Sequence, residues 1–438
     1  LYFRDVDING KIIETVTYAV DPYANSVSVN GDKGYVLDIN EKSTKPIGFT
    51  NHPSPILSEK DDSIIYEMHI RDFTIDESSG VINDLRGTYL GAVEENTIYK
   101  NPYNGKYVKT GIEHLCELGI THVHLMPIFD FGSVDERFPG SNNRNWGYDP
   151  KNFNVPEGSY CSNPYNPVTR ILELRQMIMK FHERGIRVVM DMVYNHMMST
   201  VNMDNIVPGY YFRSDYLGRY TNGSGCGNEL ASERPMVRKF IIDSCLHWIK
   251  DYKIDGIRFD LMELLDIDTT KEIVKKTTKL DKNFLIYGEP WKGGSSPLVN
   301  GTYKGSQKNE NFSIFNDTFR DAIRGNNHPS SGFINGNQYS SICNWSIIEG
   351  LKGSIYTITS NPNESINYVD AHDNYTLWDQ VEKSQNQSIK FGEFRFNIPD
   401  YPLNSNLVKQ DLLGMAIIFT AQGIPFIQSG SEFLKTKQ

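Results

Sequence analysis

Four short segments of the chain carry carboxylate and histidine side chains directly after apolar runs that are typical of buried strands. They are residues 191–196 (Asp-Met-Val-Tyr-Asn-His), 256–260 (Gly-Ile-Arg-Phe-Asp), 288–291 (Gly-Glu-Pro-Trp) and 371–374 (Ala-His-Asp-Asn). Carboxyl groups from separate strand ends can divide catalytic work, because one can donate a proton while another attacks as a nucleophile. Hydrolysis of a sugar linkage is one reaction that requires this pair of roles.

The spacing within the second segment suggests how such roles are assigned. Arg258 precedes Asp260 by two residues, so the two side chains point to the same side of a strand. A guanidinium in this position would favour the ionised form of Asp260. Glu289 would need the opposite, a raised pKa from a dry pocket and a neighbouring carboxylate. We therefore expect Asp260 to be charged while Glu289 keeps its proton.

An alternation of strands and helices from residue 63 onward would position these segments. Helical spacing recurs at Ile171, Leu174, Ile178 and Phe181, and again at Phe240, Cys245, Trp248 and Ile249. The eight strand candidates are residues 64–70, 121–127, 186–190, 255–259, 284–287, 313–315, 366–369 and 424–427. This pattern predicts an α/β fold, a (β/α)8 TIM barrel, whose active site lies at the carboxyl ends of the strands.

Bulk composition excludes several classes of partner. The chain has 44 basic and 54 acidic residues, a formal charge of −10, which argues against a nucleic-acid partner. No apolar run approaches the roughly 20 residues that cross a membrane. The five cysteines share no metal-ligand spacing, and we expect them to be unpaired. No signal segment is visible at the start, and the compartment, bacterial cytoplasm or secreted, stays open.

The four segments resemble, in order, the four sequence regions of the α-amylase family, glycoside hydrolase family 13. Residues 145–150 (Asn-Trp-Gly-Tyr-Asp-Pro) are similar to a hallmark stretch of the type I pullulanases in that family. The resemblance extends from about Ala19 to Glu432. Further segments that resemble this group are residues 119–125, 154–160, 223–229 and 232–238.

The resemblance implies a role for each site residue. Asp260 would be the nucleophile, Glu289 the general acid/base, and Asp373 a third carboxylate that steadies the distorted sugar. Tyr148 would stack on the sugar, His196 and His372 would bond its hydroxyls, and Trp291 would lie on the leaving-group side. The remaining residues expected to bind substrate are Asp149, Arg258 and Asn374.

The implied activity is retaining hydrolysis of α-1,6-glucosidic linkages in pullulan and branched α-glucans, with an α-glucan as the partner of a monomer. The alternatives are an isoamylase-like or α-1,4-acting member, a branching enzyme, or a non-catalytic α-glucan-binding protein on the same barrel. No cofactor is required and no metal site is predicted. A structural calcium ion using Asn195 and Asp149 is conceivable, but no acidic spacing indicates it.

The domain organisation is predicted from turn signals and loop lengths. Residues 1–60 would form part of a small N-terminal β-domain, similar to a carbohydrate-binding module, with hairpin candidates at 11–20 and 26–29 and a linker. Residues 61–438 would form the catalytic barrel, with long loops at 129–167 and 197–235 beside the site. The chain stops soon after the eighth strand, so we expect a truncated C-terminal end.

Several residues have a structural interpretation as well as a functional one. Asp191 either supports Arg258 or belongs to the site, and Tyr210–Tyr211 either line a cleft or pack loops. His122 and His124 are expected in the barrel wall, and Trp248 and Trp345 in the core. The residues that depart from the family pattern, and so bear on substrate preference, are Arg144, Glu263, Asp370 and Ala371.

Overall fold

Eight parallel strands close into a barrel in the computed structural model, which describes residues 1–102, 104–138, 144–327, 330–386, 388 and 402–437. Including the smaller sheets, the strands are β1 (Tyr2–Val6), β2 (Ile12–Val16), β3 (Ile65–Met68), β4 (Ile98–Lys100), β5 (Tyr107–Lys109), β6 (His122–Leu125), β7 (Phe129–Phe131), β8 (Pro150–Pro156), β9 (Arg187–Met192), β10 (Gly256–Phe259), β11 (Leu285–Gly288), β12 (Ser313–Phe315), β13 (Ser365–Asn367) and β14 (Ile424–Gln428).

The barrel strands pair in chain order, which is the arrangement that right-handed crossovers produce. The order is β3-β6-β9-β10-β11-β12-β13-β14, and β14 pairs with β3 to close the ring. The helices of the described residues are α1 (Ile70–Thr74), α2 (Gly111–Leu118), α3 (Pro167–Glu183), α4 (Val201–Asp204), α5 (Pro235–Tyr252), α6 (Ile267–Thr278), α7 (Asp317–Arg324), α8 (Ser341–Leu351), α9 (Leu377–Gln385) and α10 (Asn406–Thr420).

Side chains alternate between the barrel interior and the helix layer along each strand, as the period of two requires. Ile65, Val189 and Leu285 belong to the apolar cluster that fills the barrel, together with aromatic side chains such as Phe315 and Phe426. Two residues further along the same strands stand polar groups, including Glu67 on β3 and Asp191 on β9. The apolar layer thus forms a floor, and the polar layer lies above it at the carboxyl ends.

The predicted fold class is confirmed, and all eight predicted barrel strands are present with small shifts at their ends. The shortest candidate, Ser313–Phe315, forms β12 over the same three residues. The predicted strand 186–190 ends later, because β9 runs to Met192 and includes Asp191. The connection between β11 and β12 departs from a regular barrel. Residues 289–312, all of which are described, contain no α-helix.

The N-terminal segment contains one antiparallel hairpin, β1–β2, followed by short 3-10 turns. The hairpin candidate at 26–29 is wrong as a strand, because Val27 makes only a single bridge to Gly34. The division of the chain at residue 60 stays a prediction. In the first long loop β7 and β8 pair with each other, and the second contains α4 and two isolated bridges.

Two tryptophans expected in the core behave differently. Trp248 on α5 is fully buried, and its indole N–H donates to the Phe153 carbonyl oxygen at 3.0 Å. The prediction for Trp345 is wrong, because 54% of this residue is exposed. The buried positions of α8 include Cys343 and Ile347, so Trp345 lies on the opposite face of that helix.

The other structural expectations resolve as follows. His122 and His124 are fully buried in β6, as expected for the barrel wall. Tyr210 and Tyr211 pack edge to face at 5.8 Å, and the Arg234 guanidinium lies over the Tyr210 ring, so this pair packs the loop. The five cysteines are free thiols. No helix within the described residues has the length and apolar character of a membrane span.

Candidate active site

One guanidinium connects three carboxylates at the top of the barrel. Arg258 Nη1 bonds both Asp191 Oδ1 and Asp260 Oδ1 at 2.9 Å, and its Nη2 lies 2.7 Å from Glu289 Oε1. The side chain of Arg258 is 2% exposed, so this charge is compensated inside the protein. Because Asp260 and Glu289 share one guanidinium, the carboxyl groups predicted to attack and to protonate are held close together.

The local backbone explains why Asp260 and Glu289 come together. Each is the first residue beyond its strand, β10 and β11, which pair in parallel with Phe259 opposite Gly288. A Cβ at Gly288 would come 2.7 Å from the Phe259 carbonyl oxygen, so only glycine permits this approach. Leu261 then adopts a left-handed conformation with φ of 41°, and its N–H donates to Glu289 Oε2 at 3.0 Å.

Burial sets the proton affinity of this pair. It raises the pKa of Glu289 to about 8, and the Asp260 and Asp373 carboxylates act in the same direction against the Arg258 cation. Burial also raises the pKa of Asp260, although Arg258 and the Asn195 amide, which donates to Oδ2 at 2.7 Å, act to lower it. The expected raised pKa of Glu289 is therefore present. The expected effect of Arg258 on Asp260 is also present, but burial outweighs it.

Asp191 lies beneath this pair as a supporting residue. It is fully buried, and its Oδ2 accepts hydrogen bonds from Arg258 at 3.0 Å and from the Tyr148 hydroxyl at 2.7 Å. His124 Nε2 lies 3.2 Å from the same oxygen. Burial alone would raise the pKa of Asp191, but Arg258 and His124 lower it to about 2. The structural interpretation of Asp191 is thus the one that the contacts support.

The third carboxylate is far more exposed than the other two. The Asp373 side chain is 55% exposed, and its Oδ1 lies 3.7 Å from His372 Nε2. Together with Glu289 and Trp291, these two residues line a pocket of about 230 Å³, which also reaches Asn374. Trp291 follows the predicted acid by two residues and lines the same pocket, and its assignment to the leaving-group side stays a prediction.

Aromatic side chains form the wall on the side of the first long loop. The Tyr148 ring stacks on His372 at 5.0 Å with an interplanar angle of 18°, and the Trp146 ring meets His372 edge on at 5.2 Å. Both ring nitrogens of His196 are engaged with groups of the protein. Its Nε2 lies 2.9 Å from the Tyr148 carbonyl oxygen, and its Nδ1 lies 2.6 Å from Asn195 Oδ1. In this arrangement His196 fixes Tyr148 and Asn195.

Asp149, a predicted substrate-binding residue, bonds two side chains of its own loop. Its Oδ1 accepts from the Asn145 amide at 2.9 Å, and its Oδ2 accepts from the Ser133 hydroxyl. These bonds stabilise the loop that carries Tyr148. The side-chain oxygens of Asp149 and Asn195 are thus each engaged in separate hydrogen bonds, and the expectation that the chain requires no metal stays a prediction.

Three residues that depart from the family pattern form ion pairs or buried hydrogen bonds around the site. Arg144 Nη2 pairs with Asp72 at 2.7 Å. Glu263 Oε1 pairs with Lys292 at 2.8 Å, directly beyond Trp291. Asp370 is buried and accepts from the Leu377 N–H and the Ser431 hydroxyl at 2.9 and 2.8 Å.

Sequence reasoning missed Glu67, which the structure places among the site residues. It lies on β3, it is 2% exposed, and it bonds His372 through both carboxylate oxygens. A charged residue inside the otherwise apolar strand Ile-Ile-Tyr-Glu-Met was the signal that could have found it, since buried carboxylates are rare unless paired.

A second group of buried carboxylates lies away from this pocket. Among the described residues, ligand atoms of Asp130, Glu136 and Glu157 come within 4.8 Å of one another. Arg170 pairs with two of them, at 3.3 Å from Asp130 and 2.7 Å from Glu136. The charges of this group are therefore compensated by an arginine of the chain itself.

The chain is similar in both sequence and structure to proteins of the α-amylase family. The profile of the alpha-amylase catalytic domain matches residues 106–207. The pullulanase of Bacillus subtilis strain 168 is 41% identical over 443 residues, covering 98% of this chain and 56% of the relative. The chain thus spans little more than half of that relative.

Two crystal structures of pullulanase from Paenibacillus barengoltzii are similar to the whole chain. The apo structure has a TM-score of 0.86 at 38% identity and covers 99% of this chain and 68% of that one. The complex with maltohexaose and alpha-cyclodextrin has a TM-score of 0.86 at 40% identity, with 100% and 65% covered.

Proposed function

Because the chain belongs to the pullulanases of the α-amylase family, we propose that it hydrolyses α-1,6-glucosidic linkages in pullulan and branched α-glucans. Starch, glycogen and limit dextrins are the branched substrates. The observation that carries the proposal is the bonding of Asp260 and Glu289 to one Arg258 guanidinium beside a sugar-sized pocket. The carboxyl pair could act on an α-1,6 or an α-1,4 linkage. The support for the α-1,6 preference therefore comes from the relatives.

The mechanism proposed is a double displacement with net retention. Asp260 attacks the anomeric carbon as a carboxylate, while Glu289 transfers its proton to the departing 6-hydroxyl oxygen. The covalent glycosyl ester on Asp260 is then cleaved by a water molecule, whose proton returns to Glu289 and whose oxygen bonds the anomeric carbon. The raised pKa of Glu289, about 8, supports the acid role near neutral pH.

The two carboxyl groups differ in their donors, which supports the assignment of roles. Asp260 accepts from Arg258 and Asn195, and both donors favour its charged form. Glu289 also pairs with Arg258, but burial and the charges of Asp260 and Asp373 favour its protonated form. We therefore propose that Asp260 loses its proton before Glu289 does, as the attacking group must.

We propose that the chemistry needs no cofactor, because the nucleophile, acid and base are all side chains. The partner is an α-glucan chain bound by a monomer, with the pyranose face on Tyr148 and the leaving chain near Trp291. Dialysis against EDTA should leave kcat unchanged if metal has no part in the reaction. A loss of thermal stability without a change in kcat would indicate a structural cation instead.

The deciding experiment is a product profile of the full-length polypeptide on pullulan. Maltotriose as the main product is expected, because cutting each α-1,6 linkage releases maltotriose units. Panose as the main product would assign an α-1,4-acting enzyme instead. Binding of pullulan without any increase in reducing ends would support the non-catalytic alternative, and altered branching of amylose without new reducing ends would indicate a branching enzyme.

A further inference from the structure

Glu67 directs both of its carboxylate oxygens to a single residue. Its Oε1 lies 2.7 Å from His372 Nδ1, and its Oε2 accepts the His372 backbone N–H at 2.7 Å. Glu67 is 2% exposed and His372 5% exposed, so the pair is almost fully buried. One carboxylate thus fixes the backbone and the ring of His372 at the same time.

The second ring nitrogen of His372, Nε2, lies on the side of the ring that borders the pocket. Its Nε2 lies 3.7 Å from Asp373 Oδ1, beyond hydrogen-bonding distance. The ring itself cannot turn freely, because Tyr148 stacks on one face and Trp146 meets it edge on. His372 also lines the pocket that holds Glu289 and Trp291. The Nε2 position is therefore a fixed point that a bound hydroxyl can reach.

Charged and titratable groups surround His372 from every side of the pocket. Glu67 lies below it on β3, Asp373 follows it in the chain, and Arg258 contributes a cation from β10. The Lys437 ammonium donates to the His372 carbonyl oxygen. The other groups that line the same pockets or act on Glu67 are His69, Asp72, His124, Arg144, Glu289, Asp317, Arg320, Arg324, Tyr368 and Lys435.

We propose that Glu67 is a positioning residue that holds His372 as an imidazolium, with Nδ1–H fixed on the carboxylate and Nε2–H presented to a hydroxyl of the bound sugar. The identity of that hydroxyl rests on the proposed function. The protonation of His372 and its fixation by Glu67 do not. A neutral imidazole could instead present a lone pair at Nε2, which would accept from a hydroxyl rather than donate.

The energetics agree with this assignment. Burial lowers the pKa of His372, but the Glu67 and Asp373 carboxylates outweigh it and raise the pKa to about 9. Burial raises the pKa of Glu67, but His372, His124 and Arg258 outweigh it and lower the pKa to about 2. Both partners are therefore charged throughout the neutral range, and Nε2 keeps its proton over the pH range in which Glu289 is protonated.

The first test measures the charge of His372 without substrate. In the full-length protein with 13C-labelled histidine, the His372 signal is assigned by its absence in His372→Gln. The wild-type ring should remain protonated at pH 7.5. In Glu67→Gln its pKa should fall to about 6.5, the ordinary imidazole value, or below, because the neutral amide removes the charge while keeping the size. A neutral His372 at pH 7.5 in the wild type would overturn the proposal even if Glu67→Gln does not fold.

The second test uses the pH dependence of kcat/KM on pullulan. The wild type should change little between pH 5.5 and 7.5, whereas Glu67→Gln should fall by about tenfold over that range as His372 loses its proton. Glu67→Asp keeps the charge but shortens the side chain. It should therefore restore the wild-type shape of the profile at a lower kcat.

The outcomes separate a charge role from a packing role. Equal loss in Glu67→Gln at every pH, or a Glu67→Asp profile like that of Glu67→Gln, would show that Glu67 only fills space. An unchanged Glu67→Gln profile would equally overturn the proposal. If the wild type does not hydrolyse pullulan at all, the proposed function fails, but the NMR titration still decides whether Glu67 keeps His372 charged.

Discussion

Two of the clusters in which a buried arginine compensates several carboxylates differ in their access to a pocket. Arg258 connects Asp191, Asp260 and Glu289 at the carboxyl ends of the barrel strands. Arg170, on α3, pairs with Asp130 and Glu136 beside Glu157, and all three carboxylates belong to the first long loop.

Burial raises carboxyl pKa values in both clusters, to about 8 for Glu289 and also to about 8 for Glu157. A raised pKa therefore does not by itself identify the catalytic group. The difference lies in access. Glu157 is fully buried, with its oxygens accepting the Phe131 and Ser159 N–H groups, whereas Glu289 lines the pocket with Trp291 and Asp373. The sealed cluster can contribute to stability, and the open one can also act on a ligand.

The largest expected effect separates the clusters by activity. Asp260→Asn should reduce kcat by at least about 10⁴-fold, because it removes the nucleophile while keeping the shape of the side chain. The matched variant Asp130→Asn should keep kcat within about twofold, since Asp130 is fully buried and away from the pocket. Initial rates on pullulan and thermal melting curves measure both. Near-normal turnover in Asp260→Asn would assign the nucleophile elsewhere.

A second variant tests the proton on the open cluster. Glu289→Gln should lower kcat on pullulan by about 10²–10⁴-fold, because the leaving 6-hydroxyl oxygen needs a proton. Formation of the glycosyl-enzyme from a substrate with an activated aryl leaving group should be affected much less, because that group needs no proton. Burst kinetics with both substrates give the comparison. Equal losses in that step would rule against the acid role.

Breaking the sealed cluster should affect folding instead of catalysis. Arg170→Met leaves Asp130, Glu136 and Glu157 without their cation and should cost about 3–5 kcal/mol of unfolding free energy. Urea unfolding at neutral pH measures the loss, and kcat per folded molecule should stay unchanged. A drop in kcat at temperatures where the variant is folded would show that the two clusters are coupled.

The pH dependence of the two clusters gives the smallest effect and the sharpest contrast. Glu289 must be protonated to act as the acid, so kcat/KM should fall about tenfold per pH unit as pH rises above about 8. For Glu157 the folded protein keeps a proton that the unfolded chain loses near pH 4.5, so folding stability should fall as pH rises from there to about 8. Glu157→Gln should flatten that stability slope without moving the kinetic limb.

The barrel was predictable because its strands are short apolar runs that end in polar residues, a pattern that survives in sequence alone. The placement of Asp260 and Glu289 followed from the same pattern, since parallel strands bring their carboxyl ends together. The structure places both at the top of adjacent strands, as expected.

The features that sequence did not reveal depend on which partner each side chain finds. Glu67 was missed because its importance comes from His372, 305 residues away in the chain. The exposure of Trp345 depends on which face of α8 meets the barrel, and the overall apolar character of that helix did not show this. The net rise in the Asp260 pKa reflects the depth of burial, which no spacing between residues encodes.

The left-handed residue Leu261 has a consequence for engineering this chain. Its backbone conformation costs free energy for any side chain other than glycine, so Leu261→Gly would ordinarily be a stabilising choice. Here the Leu261 N–H also donates to Glu289 Oε2, and this bond fixes the distance between the Glu289 carboxylate and the end of β10. Glycine at this position would make the backbone more flexible and would let that distance vary. Selection for thermal stability and selection for catalytic rate should therefore favour different residues at position 261.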